Sequence, residues 1–77
     1  MGINRNVIYI NGIRYNRIVD NDIKVGDTVF VPLVFNMVNG LPKFLDLDTV
    51  DEINEGNIIK CENFGYIEFN NCWRINE

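Results

Sequence analysis

An Asn-Gly pair at residues 11 and 12 separates two short segments of alternating apolar and polar residues, VIYI before it and IRYN after it. This is the strongest short-range signal for a β-hairpin, because a type I′ turn needs positive φ at both central positions and Asn and Gly tolerate that conformation best. A two-residue loop also fixes the register, so Ile10 is predicted opposite Ile13 and Val7 opposite Asn16. The chain is therefore predicted to open with an antiparallel hairpin.

The predicted register gives this hairpin two different faces, since side chains alternate along a strand. A core face is predicted to carry Ile8, Ile10, Ile13 and Tyr15. The opposite face, predicted to be half exposed to solvent, carries Val7, Tyr9, Arg14 and Asn16.

A third strand is predicted over residues 28–36, after Gly26 and Asp27. Its continuous apolar run indicates burial on both faces or a strand that curls round a small barrel. Pro32 has no N–H to donate and therefore marks a bulge, a bend or an edge position. A second Asn-Gly pair at residues 39 and 40 predicts another hairpin, with Val38 opposite Leu41 and Phe35 opposite Phe44.

Residues 45–56 allow two interpretations. The alternation LDLD predicts a strand with Leu45 and Leu47 inward and Asp46 and Asp48 outward. After it, a capping-box spacing and a C-cap glycine are typical of one short helical turn near 49–55. The alternative is a hairpin whose loop is residues 54–56. We favour the hairpin, because a free-standing helix of seven residues has little reason to form.

Turn signals continue to the end of the chain and recur every 8–15 residues, which is typical of all-β domains. We expect residues 1–77 to form a single β-barrel-like domain. The expected architecture is a small barrel, or a strongly curled antiparallel sheet, of five to six strands with at most one short helical turn. With 47% apolar residues the chain has the material for a core.

The segment DIKVGDTVFV, residues 22–31, resembles the entry strand of SH3-like small β-barrels, including their KOW and Tudor relatives. In that family a polar loop leads into Gly-Asp and then a curved apolar strand. The resemblance implies a barrel of five or six strands. SH3-like barrels bind proline-rich peptides, methylated side chains, RNA or protein surfaces, so the fold does not choose a function.

Residue usage argues against an enzyme. The chain has no histidine, the commonest general base and metal ligand. It has no P-loop, dinucleotide-binding glycine motif or nucleophile elbow. Two cysteines cannot complete a zinc site, and we expect Cys61 and Cys72 to be reduced, buried thiols, with a single bridge as the alternative. No catalytic residue, cofactor or metal is therefore predicted.

Two surfaces are candidates for binding. The first is an acidic surface for a protein partner with a basic surface, with a solvated face as its simpler interpretation: Asp46, Asp48, Asp51, Glu52 and Glu55. The alternative is a basic and aromatic surface for nucleic acid, which the net charge of −4 opposes: Arg5, Tyr9, Arg14 and Arg17.

Size, charge and composition set the remaining expectations. Thirteen Asn and eleven Ile are typical of AT-rich coding DNA. The chain resembles, in size, charge and style, the small accessory proteins of phages and mobile elements, including inhibitors of host defence nucleases. We expect a non-catalytic protein that binds a host nucleic-acid-processing or defence protein, or alternatively an SH3-like nucleic-acid-binding or regulatory module. The first apolar run is too short for a signal peptide and no run could span a membrane, so a cytoplasmic location is expected.

Overall fold

A computed structural model describes residues 6–19 and 22–75, which form one antiparallel sheet of seven strands in the order β1-β2-β7-β3-β4-β5-β6. The predicted all-β class is confirmed, with one strand more than expected and a sheet that does not close. A single short 3-10 helix lies at Phe69–Asn71, not near 49–55. The strands are β1 (Val7–Ile10), β2 (Ile13–Arg17), β3 (Thr28–Phe35), β4 (Pro42–Ile53), β5 (Ile58–Cys61), β6 (Gly65–Glu68) and β7 (Trp73–Ile75).

The first hairpin has the predicted register, with Ile10 opposite Ile13 and Val7 opposite Asn16. Its turn has positive φ at both central residues, 52° at Asn11 and 78° at Gly12, as a type I′ turn requires. The predicted core face is correct except at Ile13, which is 43% exposed. β7 pairs with β2 only from residue 15 onwards, so nothing from β7 lies beside Ile13.

Strand β3 is buried on both faces in its first half, as predicted from its apolar run. Val29 and Val31 belong to one hydrophobic cluster, and Phe30 packs against another. The pairing with β4 shifts register after Pro32, so of the three alternatives predicted there the structure has the bulge. Beyond the bulge, residues 33–35 are exposed.

The second Asn-Gly pair does not form the predicted two-residue turn. Phe35 pairs with Pro42 across a wider loop, which is closed by a hydrogen bond from the Asn36 N–H to the Leu41 carbonyl. The Asn36 side chain accepts from the Val38 N–H and the Asn39 side chain from the Leu41 N–H. These local bonds give the loop backbone partners of its own, which favours the wider loop over the tight turn.

Strand β4 belongs to two halves of the sheet. Residues 42–49 pair with β3, and residues 50–53 pair with β5. The favoured hairpin at 49–56 is thus confirmed, with a loop of residues 54–57 that is one residue longer than predicted. Gly56 and Asn57 both have positive φ in this loop, and Asp51 lies at a bulge between Val50 and Glu52.

Two hydrophobic clusters lie on opposite faces of the middle of the sheet. Two neighbouring residues at the start of β7 divide between the clusters, since Cys72, just before the strand, belongs to one and Trp73 to the other. The larger cluster contains Ile18, Ile23, Val29, Val31, Val50, Ile59, Cys61, Phe69 and Cys72. The smaller contains Ile8, Tyr15 and Trp73, with Ile10, Phe30, Leu41 and Leu45 packed against them.

We expect Gly12→Val to destabilise the domain by more than ~1 kcal/mol, because a β-branched residue resists the left-handed backbone at this position. A Cβ at residue 12 would meet no atom within 4 Å, so the expected cost comes from the backbone alone. The midpoint of urea unfolding measures the effect. Thr28→Val, at an exposed strand position, is the control and should change stability by less than ~0.5 kcal/mol. Equal midpoints for Gly12→Val and the parent chain would contradict the turn assignment.

Candidate functional site

The predicted acidic residues fall into three different settings. Asp51, Glu52 and Glu55 are exposed and lie close in sequence at the end of β4 and in the loop after it. Asp46 is exposed but lies in the half of β4 that pairs with β3, opposite Val31. Asp48 is buried, with only 3% of its surface exposed. Three of the five are therefore exposed and neighbours along the chain at one end of β4.

The β5–β6 hairpin adds a fourth carboxylate that the sequence analysis missed. Glu68 lies opposite Ile58, beside the strand that pairs with the end of β4. The signal was available in the β5–β6 hairpin, whose turn lies at residues 62–64 and whose register determines which β6 residues lie opposite β5. We call Asp51, Glu52, Glu55 and Glu68 the acidic surface.

Lys60 is the one basic residue among residues 46–68. Lys60 pairs with Glu52 on one side and Tyr66 on the other, and its ammonium lies 5.9 Å from the centre of the tyrosine ring. Residues 46–68 carry seven acidic side chains against this lysine, whereas the rest of the chain carries six basic and four acidic ones. The charge is therefore unevenly distributed along the chain.

Exposed apolar side chains accompany these carboxylates. Tyr66 is 64% exposed on β6, Phe64 is 45% exposed in the turn before it, and Ile53 is 48% exposed at the end of β4. Aromatic residues surrounded by polar ones are typical of protein interfaces, whereas a purely solvated face needs none of them.

Asp48 has a structural role, and its prediction as an outward-facing binding residue is wrong. Its carboxylate accepts hydrogen bonds from the N–H groups of Thr49 at 2.8 Å, Phe64 at 2.8 Å and Asn63 at 3.1 Å. The Asn63 side-chain amide donates a further bond at 3.3 Å. The carboxylate thus fixes the β5–β6 turn onto β4 and gives three backbone N–H groups a partner.

These bonds control the ionisation of Asp48. Burial alone would raise the pKa of its carboxyl group. The hydrogen bonds from Thr49, Phe64 and Asn63 together outweigh burial and hold the pKa below its ordinary value. Asp48 is therefore ionised at neutral pH, and its acceptor oxygens are committed to the fold.

The LDLD alternation predicted the wrong exposure for Asp48 and Leu47, because buried residues lie on both faces of the paired strands β3 and β4. Asp48 is paired with the fully buried Val29, so it lies on the face of the larger cluster, and the 62–64 turn covers it. Leu45 packs on the smaller cluster as predicted, but Leu47 is 57% exposed. An alternating pattern predicts which residues share a face but not which face a later turn will cover.

The basic residues do not form one surface. The Arg17 guanidinium lies 4.5 Å from the Trp73 ring centre, and its Nη1 donates to the Asn70 carbonyl at 2.9 Å. Arg14 lies on the other face of β2, exposed and opposite the exposed Tyr9. Arg5 lies outside the described residues. Arg14 and Tyr9 therefore remain together, while Arg17 holds β7 and the 3-10 helix.

Both cysteines are fully buried and unbridged, in agreement with the prediction of reduced thiols. Burial, followed by the nearby Cys61 and Asp48, raises the pKa of Cys72 to about 12. Burial and then Asp48 raise the pKa of Cys61. Neither thiol is a thiolate at neutral pH, and the thiolate is the reactive form.

Across residues 6–19 and 22–75, no group of three or more His, Cys, Asp or Glu side chains is arranged to hold a metal ion. No helix in the same ranges has the length and hydropathy to cross a membrane. Comparison with protein-family models, curated proteins and solved structures finds no match to this chain. The resemblance of residues 22–31 to SH3-like barrels thus stays a prediction.

Asp48→Ala should lower the free energy of unfolding by about 3 kcal/mol, since it leaves three part-buried N–H groups without the charged acceptor that they bind. Urea unfolding at pH 7 measures the loss. Asp46→Ala is the matched control on the same strand: Asp46 is exposed and accepts a bond only from the adjacent Leu47 N–H within the described residues, so a change below ~0.5 kcal/mol is expected.

The stability difference between the parent chain and Asp48→Ala should also depend on pH. Because folding lowers the pKa of Asp48, its carboxylate stabilises the fold at pH values above its ordinary pKa of 3.8. This contribution is lost as the pH falls through the lowered pKa of the folded state. The stability difference between the parent chain and Asp48→Ala should therefore shrink in acid. A difference that is small at pH 7, or that grows below about pH 4, would contradict the role assigned to this carboxylate.

Both thiols should react with a thiol reagent only after the chain is unfolded, because they are buried and protonated. Val25→Cys gives the rate of an exposed thiol, since residue 25 is 63% exposed, and should label at once in the native state. Rapid native labelling of Cys72 would contradict its burial, and no labelling of the unfolded chain without reductant would reveal a disulfide.

Proposed function

We propose that this chain is a non-catalytic binding protein that docks on a basic surface of a partner protein through its acidic surface. The observation that carries the proposal is the grouping of Asp51, Glu52 and Glu55 with Glu68 on the hydrogen-bonded β4–β5–β6 unit. Within the described residues, none of these four carboxylates takes part in an ion pair, whereas Asp27 is paired with Arg74 at 3.7 Å. The four carboxylates of the acidic surface therefore remain available to a partner.

The neighbouring apolar side chains support a protein as the partner. Tyr66 and Phe64 offer aromatic contact area, and aromatic residues are enriched among the side chains that dominate binding energy. Around them the carboxylates provide the charged rim of an interface, where complementary charge sets the rate of association and the choice of partner more than raw affinity.

The ionisation of the buried side chains supports a role without catalysis. The one buried carboxylate within the described residues, Asp48, is engaged by backbone N–H groups and has a lowered pKa, which does not suit a general acid or base. The two thiols have raised pKa values. The side chains whose pKa values are shifted thus have structural roles.

A basic groove that binds nucleic acid is the partner surface that fits best, because such grooves carry Lys and Arg to neutralise phosphate. We therefore propose a host nucleic-acid-processing or defence protein as the partner and the cytoplasm as the location. Direct binding of nucleic acid is less well supported, since Arg17 is engaged with Trp73 and Arg14 faces the other way.

The combined variant Asp51→Lys, Glu52→Lys, Glu55→Lys should lose the basic proteins that the parent chain retains from a low-GC bacterial lysate. Binding of a purified captured protein to the parent chain should weaken steeply with added salt, because exposed charges are screened over about 8–10 Å at 0.1–0.15 M ionic strength. Mass spectrometry of the captured proteins and a salt titration of Kd are the measurements.

Met37→Lys with Val38→Lys is the control variant. Both side chains are more than nine-tenths exposed in the β3–β4 loop, so the variant moves the net charge in the same direction at another place and should keep the captured proteins. Equal capture by the reversal variant would contradict the proposal. So would binding of single-stranded or duplex oligonucleotides by the parent chain that strengthens on reversal.

A further inference from the structure

The first strand of the sheet has an unpaired edge. β1 pairs with β2 on one side and, within the described residues, with no strand on the other. Hydrogen-bonded and non-hydrogen-bonded pairs alternate along an antiparallel ladder. The two-residue turn makes Ile10 and Ile13 a hydrogen-bonded pair, and the bond from the Arg17 N–H to the Asn6 carbonyl fits the same alternation. The N–H and C=O groups of Val7 and Tyr9 therefore point away from the sheet.

A cleft of about 500 Å³ follows this edge. Every residue from 7 to 11 lines the cleft, so side chains from both faces of β1 take part. This is expected for a cleft that follows the backbone edge of a strand. Its opposite wall is the β3–β4 loop and the start of β4, at Leu41, Pro42 and Lys43. Leu41 also packs on the cluster of Ile8, which ties the two walls to one core. The volume lies in the ~300–1,000 Å³ range of ligand sites.

The edge also lacks the usual protection against strand pairing. Natural edge strands are blunted by Lys, Pro or a bulge, and β1 has the sequence VIYI and a regular register. Two exposed cations lie beside it, Lys43 in the cleft wall and Arg14 opposite Tyr9, and neither has an ion-pair partner within the described residues. Among the described residues, no carboxylate lines the cleft.

We propose that the free edge of β1 binds an extended peptide segment of a partner protein by strand addition. The backbone groups of Val7 and Tyr9 would hold the peptide main chain, and the apolar wall would take alternate side chains. Lys43 and Arg14 select a segment that carries a carboxylate, by charge complementarity. This site lies at the opposite end of the sheet order from the acidic surface, so it stands or falls independently of the function proposed above.

The probe is a yeast-displayed library of random ten-residue peptides, selected on the full chain. Enriched peptides should alternate apolar residues and contain Asp or Glu. In a ¹H–¹⁵N spectrum an enriched peptide should shift the amide signals of residues 7–11 and 36–43. Enriched peptides that are basic, or that shift residues 57–68 instead, would overturn the proposal, as would a selection that enriches nothing.

Two matched pairs of variants test the mechanism. Tyr9→Pro removes an outward N–H without removing a β1–β2 bond, and Tyr9→Ala keeps that N–H. The affinity of the peptide should fall at least tenfold more for Pro than for Ala. Lys43→Glu should weaken binding at least threefold, whereas Lys24→Glu, outside the cleft, should not. Equal losses within either pair overturn the proposal, and the lysine pair decides if Tyr9→Pro does not fold.

A second copy of this chain is the competing occupant. Sedimentation should find the parent chain monomeric at the concentrations used for binding. Self-association that Tyr9→Pro abolishes would overturn the peptide proposal in favour of edge pairing between copies.

Discussion

The fold depends on burial of both faces of the sheet at the first half of β3 and at residues 72–73, where the chain enters β7. Trp73 is almost completely enclosed on one side of the sheet and its neighbour Cys72 on the other. A chain of 77 residues buries only about 60% of the surface that its unfolded form exposes, so it has little apolar surface to spare for two cores. It covers both by curling the two ends of one sheet, with the β1–β2 hairpin over the smaller cluster and β5, β6 and the 3-10 helix around the larger.

Asp48 stands at the junction of these two ends. It lies one residue before the end of the β3-paired part of β4, just before the strand turns to β5 as its neighbour. A buried carboxylate there is tolerated because every bond it accepts comes from a backbone or amide N–H that would otherwise lack a partner. The same bonds position the turn that leads into β6, and so the β6 side chains of the acidic half depend on a residue that is itself hidden.

Local signals predicted the parts of the fold that local chemistry determines. The turn at Asn11 and Gly12, the strand with its bulge at Pro32 and the hairpin after Ile53 all follow from backbone preferences of a few residues. The loop at residues 36–41 could not be predicted from its Asn-Gly pair, because two Asn side chains satisfy the loop backbone instead. The burial of Asp48 depends on a turn fifteen residues away in sequence, which no window around LDLD contains. The contact between Arg17 and Trp73 likewise joins residues that are far apart in sequence. The position of Glu68, by contrast, could be predicted from the register of the β5–β6 hairpin.

Residues 46–68 carry a net negative charge and the described residues before them a net positive one, which gives the molecule an electric dipole in addition to its net charge of −4. In the field of a positively charged surface such a body experiences a torque as well as an attraction. It approaches with β4–β6 leading and the β1 end trailing, before any side chain touches. Orientation is then decided at a distance comparable with the Debye length, about 8 Å at physiological ionic strength, and the trailing end remains directed towards open solvent.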